Sequence, residues 1–271
     1  MHSGGRAGRD LPAATAVGVG LLALLAGSLF WFRPAFVAIA MSASLLAVRE
    51  LANALATHGR RVVRPVAYPA AVVIPALAYA FNPEVSLGIF AGTVVVLAAV
   101  RLGHGAEGYF DDLAASVLVI AYVPLLVGFA TAMSAGTHGA ERVIAMVLLT
   151  AGNDTGGYAA GVFFGRHPIA PSISPKKSWE GLVGSLVAQA LIGGLLVPHM
   201  LDVRPWQGIA LGLVMSLTAT VGDFAESAIK RDLGVKDMSH ALPGHGGFMD
   251  RLDSLLINAL VAWIAFTWMG V

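Results

Sequence analysis

Nine apolar stretches divide this chain, each close to the length that crosses a lipid bilayer, and very little charge falls inside them. A helix needs roughly 20 mostly apolar residues to span the hydrocarbon layer. The stretches are Thr15–Phe32, Ala35–Leu55, Val66–Phe81, Val85–Val100, Leu113–Met133, Val143–Phe164, Trp179–Val197, Gln207–Lys230 and Leu252–Met269. They leave only short loops and no room for a soluble domain. Charged residues make up 12% of the chain, against about 25% in soluble domains, and mean hydropathy is +0.76. That balance excludes a soluble enzyme on a single anchor, a disordered chain, and a nucleic-acid binder working through a basic face. The expected fold is all-α: a polytopic integral membrane protein of about nine transmembrane helices. Net charge is +1, so the overall balance says nothing about partners. The absence of cysteine excludes disulfides, thiolate metal sites and a cysteine nucleophile.

Basic residues favour the cytoplasmic side of a membrane protein. Alternating the nine spans places 14 of the 17 Lys and Arg on the side of the N-terminus, leaving only Arg33, Arg142 and Arg204 opposite. The N-terminus is therefore expected in the cytoplasm and the C-terminus outside. The first apolar stretch is too long for a signal-peptide core and reads as a retained span. Ionisable residues inside membrane helices are costly and mark functional sites. They gather in residues 151–271, expected to form the catalytic part of one integral unit whose remainder, residues 1–150, contributes N-terminal helices. Arg49 and Glu50 read as a cytoplasmic extension of the second helix with an interfacial role.

The densest cluster lies between Gly222 and Ser254. Asp223, Glu226, Ser227 and Lys230 share an arc of about 100° on one helix face, so this polar stripe faces the bundle or a watery cavity. A charged loop with Arg231, Lys236 and Asp237 follows. Next come Pro243, Gly244, His245, Gly246 and Gly247, and then a helix opening with Asp250, Arg251 and Asp253. A glycine turn before a helix N-terminus suits phosphate, through free N–H groups and the helix dipole. Lys230, Arg231, Lys236 and Arg251 would neutralise phosphate oxygens. His245 would bind phosphate or pyrophosphate, or donate a proton. Asp223 and Asp250, on different helices at one level, favour a hard divalent ion such as Mg²⁺.

Two more clusters stand out. In Ser174-Pro175-Lys176-Lys177-Ser178-Trp179-Glu180-Gly181, Pro175 holds the chain out of helix and Ser178 suits a helix N-cap. Lys176 and Lys177 either enforce topology, touch anionic headgroups or clamp a phosphorylated substrate. In Asn153-Asp154-Thr155, Asp154 falls mid-helix, where an uncompensated charge costs at least ~2.5 kcal/mol. It therefore lines a polar cavity or pairs with a base.

The run from Ser227-Ala-Ile-Lys230-Arg231 through Lys236-Asp237-Met-Ser239 and Leu242-Pro243-Gly-His245-Gly246-Gly247 to Asp250-Arg251-Leu-Asp253 covers 27 ungapped positions. It resembles the signature of the phosphatidate cytidylyltransferases, or CDP-diacylglycerol synthases. The Ser174–Gly181 segment is similar to a second family motif, with serine at 178 where threonine is common, and Asn153-Asp154-Thr155 with Gly165-Arg166 is similar to a third. The resemblance implies transfer of cytidylyl from CTP to phosphatidic acid. The compact chain without a long N-terminal extension favours a bacterial plasma membrane, and the placement of the basic residues a site facing the cytoplasm. The resemblance further implies a family often dimeric, no nucleic-acid partner, and a cation centre at Asp223 and Asp250 with Mg²⁺ and room for a second cation. Ser227 would be an auxiliary ligand or phosphate donor. Asp253 would hold a metal-bound water or orient Arg251, and Asp237 would position Lys236 or contact nucleotide. Asn153, Asp154, Lys176, Lys177, Gly246 and Gly247 complete the expected substrate contacts. A CTP-dependent lipid or polyprenol kinase shares this site chemistry, and an ion transporter is a rival of another class.

Overall fold

The computed structural model describes residues 20, 23–239 and 246–271, so His245 and most of the first apolar stretch lie outside the described residues. Residues 23–31 are helical (α1). There follow α2 (Arg33–Ala56), α3 (Arg64–Ala80), α4 (Pro83–Leu102), α5 (Tyr109–Ile120), α6 (Leu126–Ser134), α7 (Gly139–Phe164), α8 (Trp179–Leu195), α9 (Val197–Leu201), α10 (Pro205–Asp232) and α11 (Met249–Met269). A π turn, Ala121–Leu125 with Pro124 inside it, joins α5 to α6.

Local chemistry explains where these helices begin. Proline occupies the first or second position of α2, α3, α4 and α10, where its missing N–H removes no intrahelical bond. Asn82 caps α4, its side chain accepting from the Val85 N–H at 2.9 Å. Inside α3, Pro75 interrupts the ladder, and its carbonyl accepts from the Thr131 hydroxyl on α6 at 2.8 Å.

Each of the nine apolar stretches lies on helix where it is described, end residues aside. Among the described residues, six helical segments are long and apolar enough to cross a membrane: Arg33–Ala56, Pro83–Leu102, Tyr109–Ser134, Trp179–Leu201, Pro205–Asp232 and Met249–Met269. This is fewer than the nine expected, for physical reasons. The described part of α1 is short, α3 has 17 residues, and α7 carries Asn153, Asp154, Thr155 and several glycines mid-length. The outward faces of the longer helices are apolar: Val95, Val183, Leu217 and Trp268 are all at least half exposed. A bilayer-embedded surface has this character.

The all-α expectation holds apart from one feature. Pro168–Ala170 (β1) and Ser174–Ser178 (β2) pair as a short antiparallel hairpin where a plain loop was expected. The helices pack around two apolar cores. One joins α2, α3 and α5 to Leu233, Met238, Met249 and Leu256 from the C-terminal part. The other joins α1, α2, α6 and α7 to α10 and α11. Helix α7 runs unbroken past residue 150, so the two expected parts share a helix.

Candidate active site

Helices α7, α8 and α10 come together backbone to backbone. A Cβ on Gly156 would lie 2.8 Å from the Gly184 carbonyl oxygen. A Cβ on Gly193 would lie 2.1 Å from the Gly208 carbonyl, and one on Gly208 1.9 Å from the Gly193 carbonyl. Only glycine permits so close an approach. The crossing opens into a cavity of about 260 Å³ lined by Asn153, Asp154, Lys176, Lys177, Ser178 and Asp223, among others. Three motifs far apart in the chain thus share one wall.

Several side chains of that wall are held from behind. Asn153 is buried; its Oδ1 accepts from the Ser216 hydroxyl at 2.8 Å and its carbonyl from the Ser185 hydroxyl at 2.7 Å. Its amide donates to Asp154 Oδ1 at 3.4 Å. Ser178 caps α8 as expected, accepting from the Gly181 N–H at 3.1 Å. Glu180 anchors the start of the hairpin. Its Oε2 accepts the Arg166 and His167 N–H groups at 3.1 and 3.2 Å, and its Oε1 lies 2.5 Å from His167 Nδ1. At the hairpin turn, the Ile173 carbonyl accepts from Arg231 Nε at 3.2 Å, which ties β1–β2 to α10. The hairpin thereby presents Lys177, whose ammonium bonds Asp223 and sits 5.1 Å over the Phe224 ring.

Asp154 is also within electrostatic reach of Asp223, Lys177 and Arg251, and Asp253 of Asp223, Asp154 and Lys230. The backbones meet here as well: a Cβ on Gly222 would lie 2.9 Å from the Asp253 carbonyl oxygen. Two turns further along α10, Lys230 Nζ bridges Glu226 Oε2 at 2.6 Å and Asp250 Oδ1 at 2.9 Å. The predicted polar stripe of α10 therefore does face the bundle. Ser227 is half-buried on that stripe, whereas Lys236, Asp237 and Arg251 are exposed beside it.

The glycine turn is used differently from the expectation. Its N–H groups were expected to face phosphate, yet the Gly247 N–H is taken by a carboxylate. Asp250 Oδ2 accepts from the Gly247 N–H at 2.8 Å and the Met238 N–H at 2.9 Å. Glu50, from α2, accepts from the Ser239 hydroxyl at 2.6 Å, the Phe248 N–H at 3.0 Å and the Met249 N–H at 2.9 Å. The interfacial expectation for Glu50 is thereby corrected: it is 7% exposed and caps the start of α11. Arg49 remains exposed. Gly247 permits this arrangement, since a Cβ there would lie 2.5 Å from Glu50 Oε2. Gly246, at φ +80°, packs against Asp250. The sequence held one signal for Glu50, an acid bordering an apolar helix, but nothing local named its partners.

The donor set suits a hard cation. It is all oxygen; Asp223 commits only Oδ2 among the described residues, and Glu226 Oε1 is buried with no partner there. No ready-made group of three or more His, Asp or Glu ligands occurs among the described residues. Both oxygens of Asp250 are already engaged, so its share in a metal site requires Lys230 to turn elsewhere.

Comparison with known proteins places these residues in context. A family model described as the cytidylyltransferase family matches residues 12–269. The chain is 39% identical to a phosphatidate cytidylyltransferase of Mycobacterium bovis, over 97% of this chain and 90% of that protein. It is 37% identical to one of Mycobacterium leprae, over 97% and 89%. A Staphylococcus aureus phosphatidate cytidylyltransferase is 36% identical over 54% of this chain and 56% of its own length.

Proposed function

The chain belongs to the cytidylyltransferase family, and from that premise we propose that it transfers the cytidylyl group of CTP to phosphatidic acid. The products are CDP-diacylglycerol and pyrophosphate, in membrane phospholipid synthesis. One observation carries the reading: Asn153-Asp154, Lys176-Lys177 and Asp223, from three separate motifs, line one cavity, and Asp223 shares a face of α10 with Lys230, which pairs with Asp250.

A phosphate oxygen of phosphatidate forms a bond to the α-phosphorus of CTP, and the bond from that phosphorus to the β-phosphate bridging oxygen breaks. The nucleophile is already anionic, so no serine or cysteine need attack. The barrier lies in bringing two polyanions together and stabilising the leaving pyrophosphate. Lys177 and Lys230, each held on a carboxylate, exchange that partner for substrate phosphate. Lys176, Arg231, Lys236 and Arg251 add positive charge around the opening, and His245 serves the leaving group. Ser227 donates to a phosphate, Asp237 steadies Lys236, and Asp253 steers Arg251. Gly246 and Gly247 act by letting Asp250 and Glu50 close onto the loop. Mg²⁺ would be held from Asp223 and Asp250, with a second cation nearby, and would supply charge neutralisation of the triphosphate.

The proposal includes nine spans, a cytoplasmic N-terminus and cytoplasmic site, a C-terminus outside a bacterial plasma membrane, and a homodimer. The 14-to-3 division of basic residues supports the orientation. The reaction is tested with purified protein, phosphatidate and CTP labelled at either phosphate. Label from the α-phosphate entering lipid is expected. Label from the γ-phosphate would make the protein a kinase, and ion flux without pyrophosphate release a transporter.

A further inference from the structure

A second recess of about 650 Å³ lies in the N-terminal half, between the α2–α3 and α4–α5 connections, lined by Arg61, Arg64, Arg101, His104, Glu107 and Asp112 among others. Its floor is built, not free. Arg101 Nε donates to Asp112 Oδ2 at 2.9 Å, and both side chains are 8% exposed. The rest of the Arg101 guanidinium is spent on the Gly105 carbonyl, at 2.9 Å, and the Glu107 carbonyl. Asp112 Oδ1 accepts the Arg61 N–H at 2.6 Å, and the Ser116 hydroxyl accepts the Val63 N–H at 2.9 Å. Arg101 and Asp112 thus cancel one another and fix the backbone from which Arg61 and Arg64 project.

The rim is where charge remains. Arg61 is exposed, and its guanidinium has no partner among the described residues. Arg64 is steadied by one bond, Nη2 to Asn53 Oδ1 at 2.8 Å, leaving its other donors for a ligand. The one further acid on the lining is Glu107, against two arginines. Guanidinium forks match phosphate oxygens in geometry as well as charge. Beside the recess, Leu102 and Phe110 are 65% and 79% exposed, apolar surface next to a cationic pocket.

We propose that this recess is a second anion site, which takes the phosphate of a phosphate ester between Arg61 and Arg64, with Leu102 and Phe110 lying along the acyl chains when the ester is a lipid. The recess shares no lining residue with the catalytic cavity, and the proposal does not rest on the reaction proposed above. Delipidated full-length protein, titrated with phosphatidylglycerol and separately with inorganic phosphate, is followed by native mass spectrometry, which counts bound molecules. Arg61→Gln is expected to weaken one bound anion roughly fivefold, and the Arg61→Gln/Arg64→Gln double variant roughly 25-fold, at about one charge's worth of headgroup attraction each. Catalytic turnover stays at the parent level and reports an intact fold. A loss seen only with phosphatidylglycerol supports the site and makes its source the bilayer. A loss seen with inorganic phosphate as well supports a site that also draws on free anions. Equal affinity of parent and double variant for both probes overturns the proposal.

Discussion

Glu50→Ala is the perturbation that tests most directly how the N-terminal half supports the site. The substitution removes acceptors for three donors at once: the Ser239 hydroxyl and the Phe248 and Met249 N–H groups. A hydrogen bond to a charged group contributes about 1.5–3 kcal/mol, and a buried donor left unpaired costs about 1–3 kcal/mol. Ser239 can rotate toward other acceptors, so the two backbone N–H groups dominate, and about 3 kcal/mol of local stability should go. That corresponds to a roughly 100-fold rise in local opening at the start of α11. Hydrogen exchange at Phe248 and Met249, measured in detergent or nanodiscs, reads this directly. Asp250 sits next to these residues and shares the loop through Met238 and Gly247, so kcat should fall with the exchange protection. A companion variant sharpens the test. Gly247→Ala places a Cβ 2.5 Å from Glu50 Oε2, 2.9 Å from its Cδ and 2.9 Å from Ser239 Oγ, so it should damage the parent strongly and add less in the Glu50→Ala background, where only the Ser239 contact remains. That non-additivity is the signature of direct contact. Parent-like exchange at these amides in Glu50→Ala, or full additivity in the cycle, would refute the reasoning.

Other variants probe the remaining parts. Asp223→Asn or Asp250→Asn should abolish turnover while the protein remains folded and inserted; Mg²⁺-dependent activity at the parent level in either would remove the metal assignment. Asp112→Asn leaves the Arg101 charge buried without its partner, and thermal unfolding should show a loss of about 3–5 kcal/mol. Gly193→Ala must push α8 from α10 and should lower stability by roughly 1–3 kcal/mol or more, read from the same melts. Because the chain has no cysteine, Arg204→Cys and Lys236→Cys report topology: an impermeant maleimide should label the first in intact cells and the second only after permeabilisation, and the reverse pattern would invert the orientation.

Much of this architecture was legible because its causes are local. Apolar runs locate the helices, Pro175 and Ser178 mark the entry to α8, and the stripe of Asp223, Glu226 and Lys230 follows from helical spacing. The hairpin was not legible, since Pro168–Ala170 and Ser174–Ser178 are short and lack alternating polarity. Its stability comes instead from Glu180 and Arg231, which lie outside it. Nor does spacing disclose that Lys177 meets Asp223 across 46 positions, or that Glu50 meets the α11 start across 198. Such pairings depend on how helices cross, which local pattern does not encode.

The distance in sequence between Glu50 and its partners also sets an order of events during synthesis. Chains are made and fold from the N-terminus onward. Glu50 enters the membrane region 189 residues ahead of Ser239 and 199 ahead of Met249. Throughout that interval the nascent protein carries a carboxylate whose acceptors have no native donors to meet. Only when the final helix emerges are they satisfied, and the same step brings Asp250 to Lys230. A truncated or half-translated chain therefore holds Lys177 and Lys230 without Asp250 and without the loop that Glu50 ties down.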